Sequence, residues 1–417
     1  MQVTVIETSG LGDRSYVVIH GGAAVVIDPQ RDIDRVLAVV DERRAGISHV
    51  LETHIHNDYV TGGLELARAV GAEYVVPAGD DLGYRACRVG DGDLVEANTF
   101  SLRTIHTPGH TQHHVSYELY DSSGRTAGVF TGGSMLFGAT GRTDLLGADR
   151  TTALARAQYR SVRRLADEIP ADTPVYPTHG FGSFCSATPV TDDASTIGEQ
   201  RDSNPALTKS ERAFVDELLA GLNEYPVYYA HMGVINANGP APVDLSMPRP
   251  VDGVELRRRI EAGEWLVDLR HRLAFAAGHL AGTLGFELSG SFVTYLGWLY
   301  DRAAPLTLLG KDEGQIAEAR RELVRIGVDE IAGASVGDVT TFAGDEVRSY
   351  RVADFAALAE AVGDARVTVL DVRRTDEFAE SHVAGGSTCH CTTSPTGSAS
   401  CPVRQCGCIA RADTGRP

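Results

Sequence analysis

Three short apolar runs in the first half of the chain each lead into a histidine motif. Val50-Leu51 runs into Thr53-His54-Ile55-His56-Asn57-Asp58-Tyr59, and the alternating stretch Ser101 to His106 runs into Thr107-Pro108-Gly109-His110-Thr111. Pro174-Val175 runs into Tyr176-Pro177-Thr178-His179-Gly180. Open α/β sheets place their sites at the carboxyl ends of strands, so the recurrence predicts a layered α/β fold with the three motifs at one edge. Alternate residues at a strand end share a face, which lets His54, His56 and Asp58 aim at one point. Imidazole suits zinc or iron, and a carboxylate hardens the site. One histidine so placed is more often an ordinary surface or core residue; three argue for a shared ion.

The neighbouring segments continue the alternation. Tyr16 to Ile19 and Ala23 to Ile27 flank His20-Gly21-Gly22, a hairpin turn, and Asp28-Pro29 closes the second strand. Asp32 is placed to cap a helix whose apolar face is Ile33, Val36, Leu37 and Val40. A helix over 64–70 and a strand over 73–76 follow. Ser210 opens a helix carrying Phe214, Leu218, Leu219 and Leu222, and four prolines from Pro240 to Pro250 mark a linker.

Beyond the linker the chain repeats itself, as a 417-residue chain too long for one core can. Val267-Asp268-Leu269-Arg270 matches Leu370-Asp371-Val372-Arg373, Phe275 matches Phe378, and His279-Leu280-Ala281-Gly282 matches His382-Val383-Ala384-Gly385. All three patches share one offset of 103 residues. Five of the seven cysteines crowd the last 29 residues, so the main body reads as a reduced, disulfide-free protein.

The ordered set HxHxD, TPGHT, FTGG and PTHG resembles the metallo-β-lactamase superfamily. Within it, Gly138-Ala139-Thr140-Gly141-Arg142-Thr143-Asp144 and Gly182-Ser183-Phe184-Cys185 are similar to the persulfide dioxygenases fused to rhodanese domains. The resemblance implies an α/β protein: a metallo-β-lactamase αββα sandwich over 1–240, followed by rhodanese-like α/β domains. The first of these spans 251–342, a partial second spans 350–386, and a Cys-rich tail over 387–417 is disordered or out of frame. A working rhodanese carries a cysteine in the loop after a central strand, where backbone N–H groups stabilise its thiolate. Here the strand Leu306 to Leu309 runs into Gly310-Lys311-Asp312, without a cysteine, so that copy reads as catalytically silent.

In the dinuclear hydrolases of the superfamily, one metal takes the residues matching His54, His56 and His110. The other takes those matching Asp58, position 59 and His179, and a carboxylate at position 133 bridges the two. Here these positions hold Tyr59 and Gly133, two losses that count against a dinuclear hydrolase. The persulfide dioxygenases hold one iron with two histidines, matching His54 and His110, and a carboxylate, again at 133. Three completions remain: His56 as a third histidine, Asp58 or Asp144 swinging in, or loss of the metal. The expected metal set is His54, His56 and His110, with Asp58 and His179 in reserve; Asp58, Tyr59 and Arg142 are the expected catalytic residues. Tyr59 either hydrogen-bonds a metal-bound ligand or fills vacated space, and Arg142 either grips a substrate carboxylate or pairs with Asp144. Asp28 is either a support behind the metal ligands, as the resemblance implies, or a turn residue before proline. Cys185 reads as a buried apolar residue, and His113 and His114 as surface or supporting residues.

The resemblance implies oxidation of a low-molecular-weight thiol persulfide by dioxygen to sulfite, with Fe(II) as cofactor and Zn(II) as the alternative. The rival readings are a thioesterase like the hydroxyacylglutathione hydrolases and a metal-free binding or scaffold protein. A formal charge of −18 argues against nucleic acid as a partner. No apolar run reaches 18 residues and no signal-peptide pattern opens the chain, which predicts no membrane span and a cytoplasmic location. The sequence leaves the oligomeric state open, a homo-oligomer included.

Overall fold

The computed structural model describes residues 1–180, 182–186, 193–339, 346–362, 364, 367–373 and 375–388. The chain divides into two compact units: residues 1–244 with 321–329, and residues 245–320 with the chain from 330 onward. The tail expected over 387–417 lies, from 389 on, outside the described residues.

The first unit is built on two sheets. The first contains β1 (Gln2–Thr8), β2 (Asp13–His20), β3 (Ala23–Ile27), β4 (Gly46–Leu51), β5 (Glu73–Pro77) and β6 (Cys87–Val89), in that spatial order. The second contains β7 (Leu94–Ala97), β8 (Phe100–His106), β9 (Val115–Tyr120), β10 (Thr126–Gly132) and β11 (Val175–Pro177), in the order β11-β10-β9-β8-β7. Strand periodicity explains how they pack. Along β2, Tyr16 and Val18 join Val25, Ile27, Leu51 and Val75 against Leu102, Tyr117, Leu119 and Phe130 of the other sheet. Val17, Val26 and Val50 point the opposite way, onto Val36 and Val40 of α1 (Asp34–Arg43) and Leu64, Leu66 and Ala67 of α2 (Gly63–Val70). The outer face of the second sheet packs Ile105, Val129 and Val175 against α3 (Ala148–Glu168), α4 (Ile197–Ser203), α5 (Pro205–Thr208) and α6 (Glu211–Ala220). The result is helix, sheet, sheet, helix, the αββα sandwich expected from the sequence.

One local expectation fails. Asp32 does not cap α1, whose N-cap is Ile33 with no side-chain cap. The Asp32 carboxylate is buried and is claimed by Arg35 at 2.8 Å and Arg325 at 2.6 Å. Two guanidinium partners outbid a neutral backbone N–H for a buried carboxylate. Ser210 does cap α6, accepting from the N–H of Ala213.

The second unit has a parallel four-stranded sheet formed by β12 (Trp265–Asp268), β14 (Leu284–Gly285), β15 (Leu306–Gly310) and β16 (Gly333–Val336), in the order β14-β12-β15-β16, with β13 (His279–Leu280) outside it. The sequence repeat reappears as geometry. Arg270 clamps Asp268 at 2.6 Å and Arg373 clamps Asp371 at 2.7 Å. His279 and His382 each bind the carbonyl four residues back, on Phe275 and Phe378, at 2.9 Å.

Candidate metal centre

The motifs meet at one edge of the sandwich. His54, His56 and Asp58 lie in the loop after β4, His110 in the loop after β8, and His179 just after β11. All five side chains are buried, at 1% exposure or less.

Each imidazole has one nitrogen fixed by an outer partner, which decides what the other nitrogen offers. Thr53 donates its hydroxyl to Asp28 Oδ2 at 2.7 Å, so Thr53 Oγ1 accepts from His54 Nδ1–H at 2.9 Å and His54 Nε2 carries a free lone pair. His110 Nδ1–H donates to the carbonyl of Arg142 at 2.8 Å, and its Nε2 has no partner. His179 Nδ1–H donates to Asp13 Oδ1 at 3.0 Å, which turns His179 Nε2 to within 3.3 Å of His54 Nε2. The ligand atoms of His54, His110 and His179 lie within 4.8 Å of one another. Those of His56, Asp58 and His179 form a second such group, so His179 belongs to both.

His56 is held by its other nitrogen. Its Nε2 faces Glu52 Oε2 at 3.2 Å, Asp28 Oδ1 at 3.3 Å and the Tyr59 hydroxyl at 3.0 Å, while its Nδ1 has no partner. Tyr59 stacks on the His56 ring, centroids 4.3 Å apart, and its hydroxyl also donates to the Asp28 carbonyl at 3.3 Å. The hydroxyl of Tyr59 is therefore turned to His56 and not to His54 or His110. Asp58 Oδ2 lies 3.0 Å from His179 Nδ1 but off the N–H direction, so neither Asp58 oxygen is hydrogen-bonded.

These environments split the imidazoles electrically. Burial, reinforced by the neighbouring rings, holds His54 well below the usual histidine range and His110 at about 3. Burial also pulls on His56 and His179, but carboxylates outweigh it: Asp28 and Glu52 lift His56 to about 10, and Asp58 and Asp13 lift His179 to about 9. Asp58, despite burial, is held below the usual carboxylate range by His179, whereas burial and Asp58 push Asp13 up to about 7. Buried polar atoms without partners are rare, and here His56 Nδ1, His110 Nε2 and both Asp58 oxygens are all unpartnered. Lone-pair nitrogens on His54 and His110, a third on His179 once an ion displaces its proton, and a nearby carboxylate are a donor set that fits zinc(II) or iron(II).

Position 133 is a glycine, and the His110 ring leaves no room for a side chain there. A Cβ on Gly133 would lie 2.6 Å from Cγ and 2.8 Å from Nε2 of His110. The Gly133 N–H donates to His114 Nε2 at 3.0 Å, and His114 Nδ1 meets Thr107 Oγ1 at 2.9 Å, so His114 is a buried support stacked on His54.

Arg142 is buried and fully engaged. Its fork holds Asp144 through two 2.7 Å bonds, it donates to the carbonyls of Phe184 and Asn223, and it lies 4.4 Å over the Tyr225 ring. Its guanidinium is spent on these partners and offers no free fork to a substrate. Cys185 is fully buried. Asp28, the turn residue, is also a support: it accepts from Thr53 and Thr178 at a positive φ of 50°. Sequence reasoning missed Asp13, Glu52 and Asn236. Asn236 donates to the carbonyls of His56 and Tyr59 at 2.9 and 2.8 Å. None of the three lies in a spacing pattern; Glu52 alone sits next to one, directly before Thr53-His54.

Residues 10–179 match the family model described as the metallo-beta-lactamase superfamily. Human mitochondrial persulfide dioxygenase ETHE1 is 30% identical over 244 residues, covering 57% of this chain and 80% of that protein. A hydroxyacylglutathione hydrolase from Methylococcus capsulatus is 29% identical over 227 residues, covering 53% of this chain and 82% of that protein. Among solved structures, a metallo-beta-lactamase from Staphylococcus aureus aligns with a TM-score of 0.72 at 28% identity, covering 81% of this chain and 99% of its own.

Proposed function

The chain belongs to the metallo-β-lactamase superfamily, and on that premise we propose that it is a metal-dependent enzyme oxidising a low-molecular-weight thiol persulfide to sulfite in sulfide metabolism. The observation that carries the reading is the convergence of His54, His110 and His179, each with its Nδ1–H tied outward and its Nε2 turned inward. Those three residues would hold the ion, and His56 and Asp58 form a second group that shares His179. Iron(II), when bound, supplies redox chemistry toward dioxygen. The protein's part is to hold these side chains in place, to keep them from bulk water by burying them, and to fix His110 through the Arg142 carbonyl. Overall, the outer persulfide sulfur is oxidised, dioxygen is reduced, a water supplies the third sulfite oxygen, and the thiol leaves.

Hydrolysis of a thioester by zinc is the second reading, favoured by the likeness to the hydroxyacylglutathione hydrolase. Against it stand Tyr59, whose hydroxyl is turned to His56, and Gly133, whose space is filled by His110. We read the second unit as rhodanese-like and silent, since β15 runs into Gly310-Lys311-Asp312 without a cysteine. Its role is packing or substrate delivery. No helix among the described residues is long and apolar enough to cross a membrane.

The test is one preparation purified without chelator. Iron content with persulfide-dependent oxygen uptake and sulfite release supports the dioxygenase. Zinc with acyl-thioester turnover replaces it with the hydrolase, and a chain with neither metal nor turnover sinks both.

A further inference from the structure

A dication held by three neutral imidazoles keeps its whole charge inside a buried site, which is costly unless a nearby anion offsets it. In this chain the carboxylate position at 133 is a glycine, and the His110 ring fills the space. The structure holds another carboxylate one residue further out. Asp13 opens β2, is 2% exposed, and accepts the Nδ1–H of His179 at 3.0 Å.

Its placement is rigid. The N–H of Arg14 donates to the carbonyl of Thr178 at 2.8 Å, and Asp13 and His179 form an antiparallel bridge. Gly12, at a φ of 73°, lets the backbone run against Gly180: a Cβ there would lie 2.7 Å from the Gly180 carbonyl oxygen. Asp58 does not duplicate this role. Its oxygens lie off the His179 N–H direction and have no hydrogen bond, so they are free to turn to an ion while Asp13 keeps His179 in place.

We propose that Asp13 is the positioning residue of this centre, which through His179 restores the negative charge that position 133 does not supply. The proposal rests on the metal reading above, for nothing else needs His179 aimed inward. A carboxylate behind a ligating imidazole fixes its tautomer, strengthens it as a donor and moves negative charge toward the ion.

The test is metal affinity, measured on the full chain with zinc(II) and iron(II) by chelator competition. Asp13→Asn, which keeps the shape and removes the charge, is expected to weaken both metals tenfold to a hundredfold, roughly the range for loss of an outer partner. In a His179→Ala background the same substitution is expected to change the dissociation constant less than about twofold, because its effect passes through His179. Equal losses in both backgrounds, or an Asp13→Asn protein that binds like the parent, overturn the proposal. A parent chain that binds neither metal overturns the metal reading and this proposal with it. Should Asp13→Asn fail to fold, imidazole nitrogen shifts of the zinc-loaded parent decide: His179 protonated at Nδ1 and metal-bound at Nε2 supports the role, and metal at Nδ1 overturns it.

Discussion

Gly133 and His110 occupy one another's space: the His110 ring lies where any side chain at 133 would begin. A carboxylate cannot be added back there without moving the ring. Gly133→Asp is therefore expected to displace His110, lower bound metal below that of the parent, and cost about 1–3 kcal/mol of stability as an overpacked site. Metal content and thermal melts of the purified variant check this; a stable, iron-replete Gly133→Asp protein would show that His110 is free to move aside.

Single substitutions of the imidazoles should rank by geometry. His54→Ala, His110→Ala and His179→Ala each remove an Nε2 from the converging group and should lower affinity by more than the roughly tenfold to hundredfold loss of an outer partner. His56→Ala should cost less metal affinity than any of them, because His56 lies outside that group and joins only the second one, with Asp58 and His179. Metal titrations of the four variants settle the order, and a His56→Ala protein that alone loses its metal would reverse it.

Metal uptake should release protons. Without metal, His179 titrates at about 9 and holds a proton that the ion must displace. Affinity should rise with pH, by up to about tenfold per unit, and level off above that point. The metal-free chain should show the opposite trend in stability. His56 and His179 have folded pKa values near 10 and 9, above the ordinary histidine value of 6.5. Their contribution is complete below about 6.5 and is lost as pH rises toward 9 and 10. His110, held near 3, contributes in the other sense: its share is complete above 6.5 and lost as pH falls toward 3. Thermal melts of metal-free protein from pH 5 to 10 read both arms, and a flat alkaline arm would contradict the assigned environments of His56 and His179.

Tyr59→Phe keeps the ring stacked on His56 and removes its hydroxyl. The loss of a hydrogen bond should cost about 1 kcal/mol of stability and leave the metal stoichiometry unchanged. Loss of metal in this variant would mean that the hydroxyl reaches the ion.

The strands and their turns were legible because their signals are local. The hairpin around His20-Gly21-Gly22, the strand at 73–77 and the Ser210 cap follow from periodicity and turn chemistry over a few residues. Asp32 was misjudged because a cap is a local inference, and one of the two arginines that claim its carboxylate lies 293 residues away.

The sequence by itself determined that imidazoles would gather at strand ends, since a histidine after each apolar run can face one edge only in a layered sheet. It also determined the duplicated Asp–Arg and Phe–His clusters, which form within a dozen residues of chain. Tertiary structure alone decided which nitrogen each ring offers. That choice is made by partners distant in sequence: Arg142 for His110, Asp13 for His179, and Asp28 acting through Thr53 for His54. A hydrogen bond orients a ring through direct contact, and contacts between residues 25, 32 and 166 positions apart exist only once the strands and loops that carry them have packed.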